Sequence, residues 1–305
     1  MRFTFRQLEY FRSTAELGSF SAAASQLFVS ATAVTSAISD LEEVLGTQLF
    51  VRRKSHGVTL TPSGQHLLND ARQLLLNAEE MERSMHSRDG ILHGPIVVGC
   101  YSTLAPTVLP ALISGFEALH PKVILNVAEG SNDELLPMMD VGKLDVLITY
   151  RINLPPGLAE AELLHTAVHA LLPANHPLAG EAAVWLRDLQ DEPLIMLDLP
   201  PSGRHALDML HGVGIRPRIR HSTRNFELVR SMVARGLGYS LLVQRPWIEH
   251  SYEGLPLITR PILPDIHRET VVMVWPEHIQ CNPRLQALID FARRTVKLSQ
   301  AWPVS

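Results

Sequence analysis

Apolar residues recur at helical spacing through the N-terminal third of the chain, then give way to short β-branched runs alternating with further helical stripes. Leu8, Phe11 and Ala15 share one face behind a Thr4/Gln7 capping-box pair, and Gly18 stops that helix. Ser19 caps a short second helix with Ala23, Ala24 and Leu27 inward. Phe28-Val29 makes a turn, and Ser30 opens a third helix whose buried stripe is Val34, Ile38, Leu41 and Leu45, with Gly46 as its stop. The other face of its first turns carries Ala31, Thr32, Thr35 and Ser36, small and uncharged, a surface able to approach a DNA groove closely. Helix, short helix, tight turn, helix is a helix-turn-helix layout.

Two short strand patterns follow, Leu49–Val51 and Val58–Leu60, around a Gly57 turn. Arg52, Arg53 and Lys54 are expected at its tip, a β-wing carrying phosphate-binding charge; the alternative is a solvated basic loop. Thr61-Pro62 is a strong helix start. From there Leu67, Ala71, Leu74, Ala78, Met81 and Met85 recur at heptad spacing, widened by Leu68 and Leu75, until Asp89-Gly90. A seam between two domains has little of its own chain to cover it, so a dimerising linker helix is expected, with packing on its own domain as the alternative.

The remainder alternates strand and helix, which implies an α/β unit with a mainly parallel sheet. Strands are expected at 96–100, 123–130, 144–150, 165–173, 193–197, 216–221, 239–243 and 269–275. Helices are expected near 104–118, 131–141, 204–211 and 225–235, with a last one opened by Asn282-Pro283 that turns Leu285, Leu288, Ile289 and Ala292 inward.

Composition narrows the class. A chain of 305 residues fits two or three domains, and 46% hydrophobic with 19% charged residues is ordinary for a globular protein. The net charge of −4 gives no global sign of a nucleic-acid binder. Over residues 1–60, six bases (Arg2, Arg6, Arg12, Arg52, Arg53, Lys54) face five acids (Glu9, Glu16, Asp40, Glu42, Glu43), but three of the bases are consecutive. Two cysteines make no disulfide framework, the N-terminus lacks a signal-peptide pattern, and no apolar run spans a bilayer, so a cytoplasmic location is expected.

The whole chain resembles the LysR-type transcriptional regulators. The resemblance is most specific over 5–64, in FRQLEYF, GSFSAAASQLFVS, LEEVLGTQLFVRR and LTPSG; LPALISGFEALHP, GKLDVLITY, ANHPLAG and VRSMVARGLGYSLL extend it. It implies a winged helix-turn-helix at 1–61, a linker (dimerisation) helix at 62–90, and a two-lobed, periplasmic-binding-protein-like α/β effector-binding domain at 91–305. Lobe 1 is expected at about 91–162 and 269–300, and lobe 2 at about 163–268. It also implies a homotetramer that binds double-stranded promoter DNA, responds to a small-molecule effector and has RNA polymerase as a possible partner. Family recognition helices often carry glutamine, proline and arginine where this chain has Ala31, Thr32 and Ser36. Bidentate base readout is therefore absent there, and specificity is expected from Ser30, Ala31, Thr32, Thr35 and Ser36 through methyl and hydroxyl contacts and DNA shape.

Ligands of open α/β sheets lie beyond the carboxyl ends of strands, against helix N-termini. Three such ends are visible: Tyr101-Ser102-Thr103, Gly130-Ser131-Asn132 and Thr223-Arg224-Asn225. The resemblance places effector contacts at Ser102 and Ser131. Tyr150-Arg151 lies at an expected first crossover near Arg151–Leu163, a second is expected near Arg260–Glu269, and Leu197–Ser202 with Arg204 lines the facing lobe. Hydroxyls, free N–H groups and arginines suit a carboxylate. Equally, Ser102, Ser131 and Asn225 are N-cap residue types, and Arg151 and Arg204 suit a solvated surface.

Other chemistries find no constellation. No Walker loop, GxGxxG or GxSxG occurs, so neither an enzyme nor a cofactor is expected. His165 and His169 are four apart on an expected strand, without a cysteine or acid at metal spacing. A redox-responsive regulator acting through Cys100 stays open as an alternative, as, more remotely, does a solute-binding protein or an enzyme on the α/β lobes.

Overall fold

Side-chain caps fix where each N-terminal helix begins. α1 (Phe5–Leu17) starts behind Thr4, whose hydroxyl accepts the Gln7 N–H at 3.2 Å while the Gln7 side-chain oxygen takes the Thr4 N–H at 2.8 Å. Ser19 caps α2 (Phe20–Gln26), and Ser30 caps α3 (Ala31–Leu45) by accepting the Ala33 N–H at 3.1 Å. Gly18 and Gly46 end α1 and α3 in the left-handed conformation. Val29 and Val34, placed to staple the entry of α3, belong to one apolar cluster with Leu8, Phe11, Ile38 and Leu41.

The wing is a hairpin of β1 (Phe50–Arg53) and β2 (Gly57–Leu60), with Phe50 opposite Leu60 and Arg53 opposite Gly57. Arg52 and Arg53 therefore stand in a strand, not at the tip where the sequence pattern put them. Glu42 of α3 anchors the hairpin, accepting the N–H groups of Leu49 at 2.6 Å and Phe50 at 3.2 Å.

α4 (Pro62–His86) begins at Thr61, whose hydroxyl accepts the Gly64 N–H at 2.9 Å. A Cβ at Gly64 would lie 2.1 Å from the Leu49 carbonyl, so only glycine lets the helix start this close to the wing. Leu68, Ala71 and Leu75 join the head's core, and Arg72 pairs with Glu16 of α1 at 2.9 Å. The expected seam is thereby divided. Ala71 is buried in the head, Leu67 packs partly against it, and Leu74 stays 43% exposed.

The computed structural model describes residues 3–53, 57–86, 91–264, 268–279 and 281–299. Lys54 and Asp89-Gly90 lie outside them, as do the side chains of Arg52, Arg53, Met81 and Met85. The chain divides into two compact units, residues 1–91 with 140–143, and residues 92–139 with 144–305. No single helix among the described residues is long and apolar enough to cross a membrane.

The second unit has two lobes. Lobe 1 is built on β3 (Gly94–Tyr101), β4 (Val123–Gly130), β5 (Val146–Tyr150), β6 (Leu158–Ala167) and, from the chain's end, β13 (Arg268–Pro276), in the order β4-β3-β5-β13-β6. β3, β4 and β5 are parallel and β13 runs against both its neighbours, so the sheet is mixed. α5 (Ala105–Leu119), α6 (Asn132–Asp140) and α9 (Pro283–Ser299) complete the lobe, with Leu285, Leu288, Ile289 and Ala292 buried as expected.

Lobe 2 contains β7 (His169–Pro173), β8 (Val184–Trp185), β9 (Pro193–Leu197), α7 (Ser202–Gly212), β10 (Arg218–Thr223), α8 (Phe226–Ala234), β11 (Ser240–Leu242) and β12 (Leu257–Leu263). Its strands run β11-β7-β12-β8 and β10-β9, and a Leu194–Tyr239 bridge joins the two groups. The stretch expected as one strand at 165–173 is two, in different lobes. The first crossover is therefore at Val168 and not near Arg151–Leu163, because Leu158–Ala167 extends lobe 1 by pairing along β13.

Candidate functional site

The residues expected to face DNA lie on the first two turns of α3. Ala31, Thr32 and Ser36 are exposed and Thr35 is half-buried. Two of the five hydroxyl or methyl positions are already committed: Ser30 caps the helix, and the Thr35 hydroxyl donates to the Ala31 carbonyl at 2.9 Å. The Thr32 and Ser36 hydroxyls and the methyls of Ala31 and Thr32 are the other groups of that surface.

The second site lies where strands of the two lobes end opposite one another. β3 delivers Tyr101, Ser102 and Thr103 to the start of α5, and β4 delivers Gly130 and Ser131 to α6; the Ser102 N–H donates to the Gly130 carbonyl at 3.0 Å, tying these ends together. Opposite them, β9 ends at Leu197 ahead of Ser202 in α7, and β10 ends at Thr223 ahead of Asn225. Asn225 is the cap of α8, its side-chain oxygen accepting the Leu228 N–H at 2.9 Å, and Thr223 accepts the Asn225 N–H at 3.2 Å. Both are thus engaged in the turn.

Five side-chain links between the lobes occur among the described residues, one of them the Thr166 hydroxyl donating to the Val243 carbonyl at 3.2 Å. The Tyr101 hydroxyl lies 2.8 Å from both the Leu199 carbonyl and the Ser202 hydroxyl. Arg224 pairs with Glu134 at 2.9 Å and reaches the Ser131 hydroxyl at 3.4 Å. Gln244 donates to Thr107 at 2.8 Å, and His205 meets Glu269 at 2.6 Å. Burial pushes the Tyr101 phenol up to about 12, so it is a neutral donor. The Glu269 carboxylate raises the His205 imidazole above its ordinary value. Tyr101 and Arg224 stood in the flagged strand-end segments, whereas His205 and Gln244 carried no sequence signal, since only the closed topology brings them to the other lobe.

Between these links is a cavity of about 40 Å³. Thr103, Tyr150, Ser202, His205 and Gln244 give it polar groups; Ile152, Ile195, Leu197 and Phe226 are among its apolar walls. Tyr150 is 1% exposed and its hydroxyl makes no hydrogen bond among the described residues. Burial raises its phenol, with Thr103 beside it acting the other way, so the hydroxyl is neutral. Ser131 is fully buried beside the cleft. Arg151 is not in this site: it pairs with Glu160 at 2.7 Å and Glu162 at 2.6 Å along lobe 1. Arg204 is exposed on α7 and is not among the lining residues.

Other chemistries fare as follows. Cys100 is buried in β3, and desolvation pushes its thiol well up, away from the reactive thiolate; Cys281 is half-buried and raised for the same reason. His165 and His169 fall on β6 and β7, in separate lobes, and His169 is held neutral, its value lowered to about 3 by burial. No cluster of three metal-ligating side chains occurs among the described residues.

Residues 5–65 match the family model of the bacterial regulatory helix-turn-helix proteins of the lysR family, and residues 90–297 match that of the LysR substrate binding domain. The chain is 31% identical over 300 residues to the uncharacterized HTH-type transcriptional regulator YvbU of Bacillus subtilis, covering 95% of this chain and 98% of that protein. The crystal structure of HinK, a LysR family transcriptional regulator from Pseudomonas aeruginosa, aligns with a TM-score of 0.65 at 33% identity, over 97% of this chain and 99% of that one. Full-length OxyR from the same species aligns with a TM-score of 0.74 at 25% identity, with the same coverage.

Proposed function

Because the chain belongs to the LysR family of DNA-binding transcriptional regulators, with an effector-binding domain behind its helix-turn-helix head, we propose that a small molecule held between its two lobes controls its grip on promoter DNA. It is a regulator and not an enzyme. The observation that carries the effector reading is the buried Tyr150 hydroxyl, which makes no well-formed hydrogen bond among the described residues in a largely apolar cavity that the lobes close over. A buried donor without a partner is costly, and a ligand acceptor relieves that cost.

The effector is a small organic acid. Its apolar part occupies the cavity, and its carboxylate lies toward Ser131 and Arg224, with Ser102 and Thr103 on the strand end beside it. In support, Arg224 is 57% exposed and held by an exposed carboxylate, a pairing that a ligand carboxylate exchanges at little cost. Dimers form through the uncovered Leu74 side of α4 and assemble into tetramers on the operator, and RNA polymerase is the further partner of the DNA-bound form. A thermal-shift screen of small carboxylates on the full chain tests the effector class. Footprinting with and without the best hit follows, on wild type and on Ser102→Ala/Ser131→Ala. The double variant should keep its footprint and lose its ligand response. A screen that yields only cationic ligands, or a double variant that still responds, would overturn the site.

A further inference from the structure

Phe28 is 95% exposed, and no other large apolar side chain among the described residues is exposed as fully. It also adopts φ 56°, a left-handed conformation that glycine or asparagine takes far more readily than an aromatic residue. Neither packing nor backbone preference explains a phenylalanine at this position. Its neighbour behaves oppositely: Val29 turns into the head's core, and its N–H donates to the Ala24 carbonyl at 3.0 Å. The tight turn therefore drives Val29 inward and displays Phe28 two residues before the Ser30 cap, directly ahead of the exposed Ala31 and Thr32.

A helix-turn-helix leads its recognition helix into the major groove N-terminus first, so the residues just before α3 stand at the groove's edge. The leading turns of α3 offer no amide or guanidinium for bidentate readout. What distinguishes thymine in that groove, apart from its O4 acceptor, is the 5-methyl group, which an apolar side chain recognises by contact. We propose that Phe28 is a specificity-determining residue that packs against the 5-methyl group of a thymine in each half-site of the operator. This reading rests on the DNA-binding head and is independent of the effector.

The test uses the full-length protein and a duplex that it selects from a random pool. Each thymine is replaced in turn by deoxyuridine, which removes only the methyl. Wild type should lose about fourfold in affinity per half-site at one symmetry-related thymine pair, the worth of one buried methyl-sized group. Phe28→Asn and Phe28→Ala should bind the thymine duplex correspondingly less well and lose nothing more on the uracil duplex. Phe28→Asn should melt no lower than wild type, because asparagine suits the left-handed turn. The proposal fails if no thymine shows a methyl dependence, or if Phe28→Asn keeps it, which would assign the contact to Ala31 or Thr32. It fails also if the variants change the oligomer seen by sedimentation and leave methyl dependence intact, which would make Phe28 a protein contact.

Discussion

Replacing Tyr101 by phenylalanine removes one oxygen and keeps the ring. The ring remains edge-on to Tyr150, centroids 5.6 Å apart at 76°, so packing changes little. The lost oxygen is one of those that join the lobes, donating to the Leu199 carbonyl and accepting from Ser202, each at 2.8 Å. Leu199 is 4% exposed, but its carbonyl also accepts the Ser202 N–H at 2.8 Å, so it loses one of two partners and is not orphaned. The Ser202 hydroxyl is half-buried and can turn to water. Two neutral hydrogen bonds lost under these terms cost about 1–2 kcal/mol. For a unit of roughly 200 residues this lowers the melting temperature by about 2–8 °C. Since these bonds require closed lobes, it also shifts the closed-to-open ratio by roughly 5- to 30-fold. Calorimetry on the full chain measures the first effect, and amide exchange over the first turn of α7 measures the second. If Tyr101→Phe melts with wild type and exchanges at the same rate there, the phenol does not hold the lobes together.

Two further outcomes are expected. Leu74→Asp should turn dimers into monomers in sedimentation, because charge buried in a helix seam costs several kcal/mol, while the head's own melting moves little since Leu74 is exposed within one chain; dimers that survive would place Leu74 in solvent. The His205–Glu269 link should make stability fall with rising pH: the folded imidazole is raised above its unfolded value of about 6.5, so its contribution is complete below that value and lost as pH climbs through the raised one. Thermal melts of wild type against His205→Gln should converge across that window, and a gap that widens with pH would contradict the assignment.

The head was almost wholly legible because its signals are local. Thr4, Ser19, Ser30, Gly18 and Gly46 mark helix ends by their own chemistry, and each does so in the folded chain. The effector domain was less so where local preference opposes tertiary pairing. LAEAELLHTA is rich in helix formers, yet it is a ten-residue strand, Ala161 and Leu163 inward and Glu160 and Glu162 outward, because β13 provides its ladder. Pro261 hid β12, a strand that holds its proline near one end. Of the residues that the strand-end rule marked, Thr103, Leu197 and Ser202 line the cavity, whereas Ser102 and Ser131 do not. Arg151 was misplaced by the shifted crossover, and its true neighbours, Glu160 and Glu162, sit on the strand that was not foreseen.

The close seat of α4 on the wing at Gly64, with Leu68, Ala71 and Leu75 in the head's core, makes the helix and the head one rigid arm. Its 25 residues give a lever of roughly 37 Å at about 1.5 Å per residue. A tilt of only about 10° at the far end then sweeps the head through roughly 6 Å, close to two base-pair steps of about 3.4 Å. If two such arms pair through α4 as proposed, a small change of angle becomes a change of reading frame along the operator.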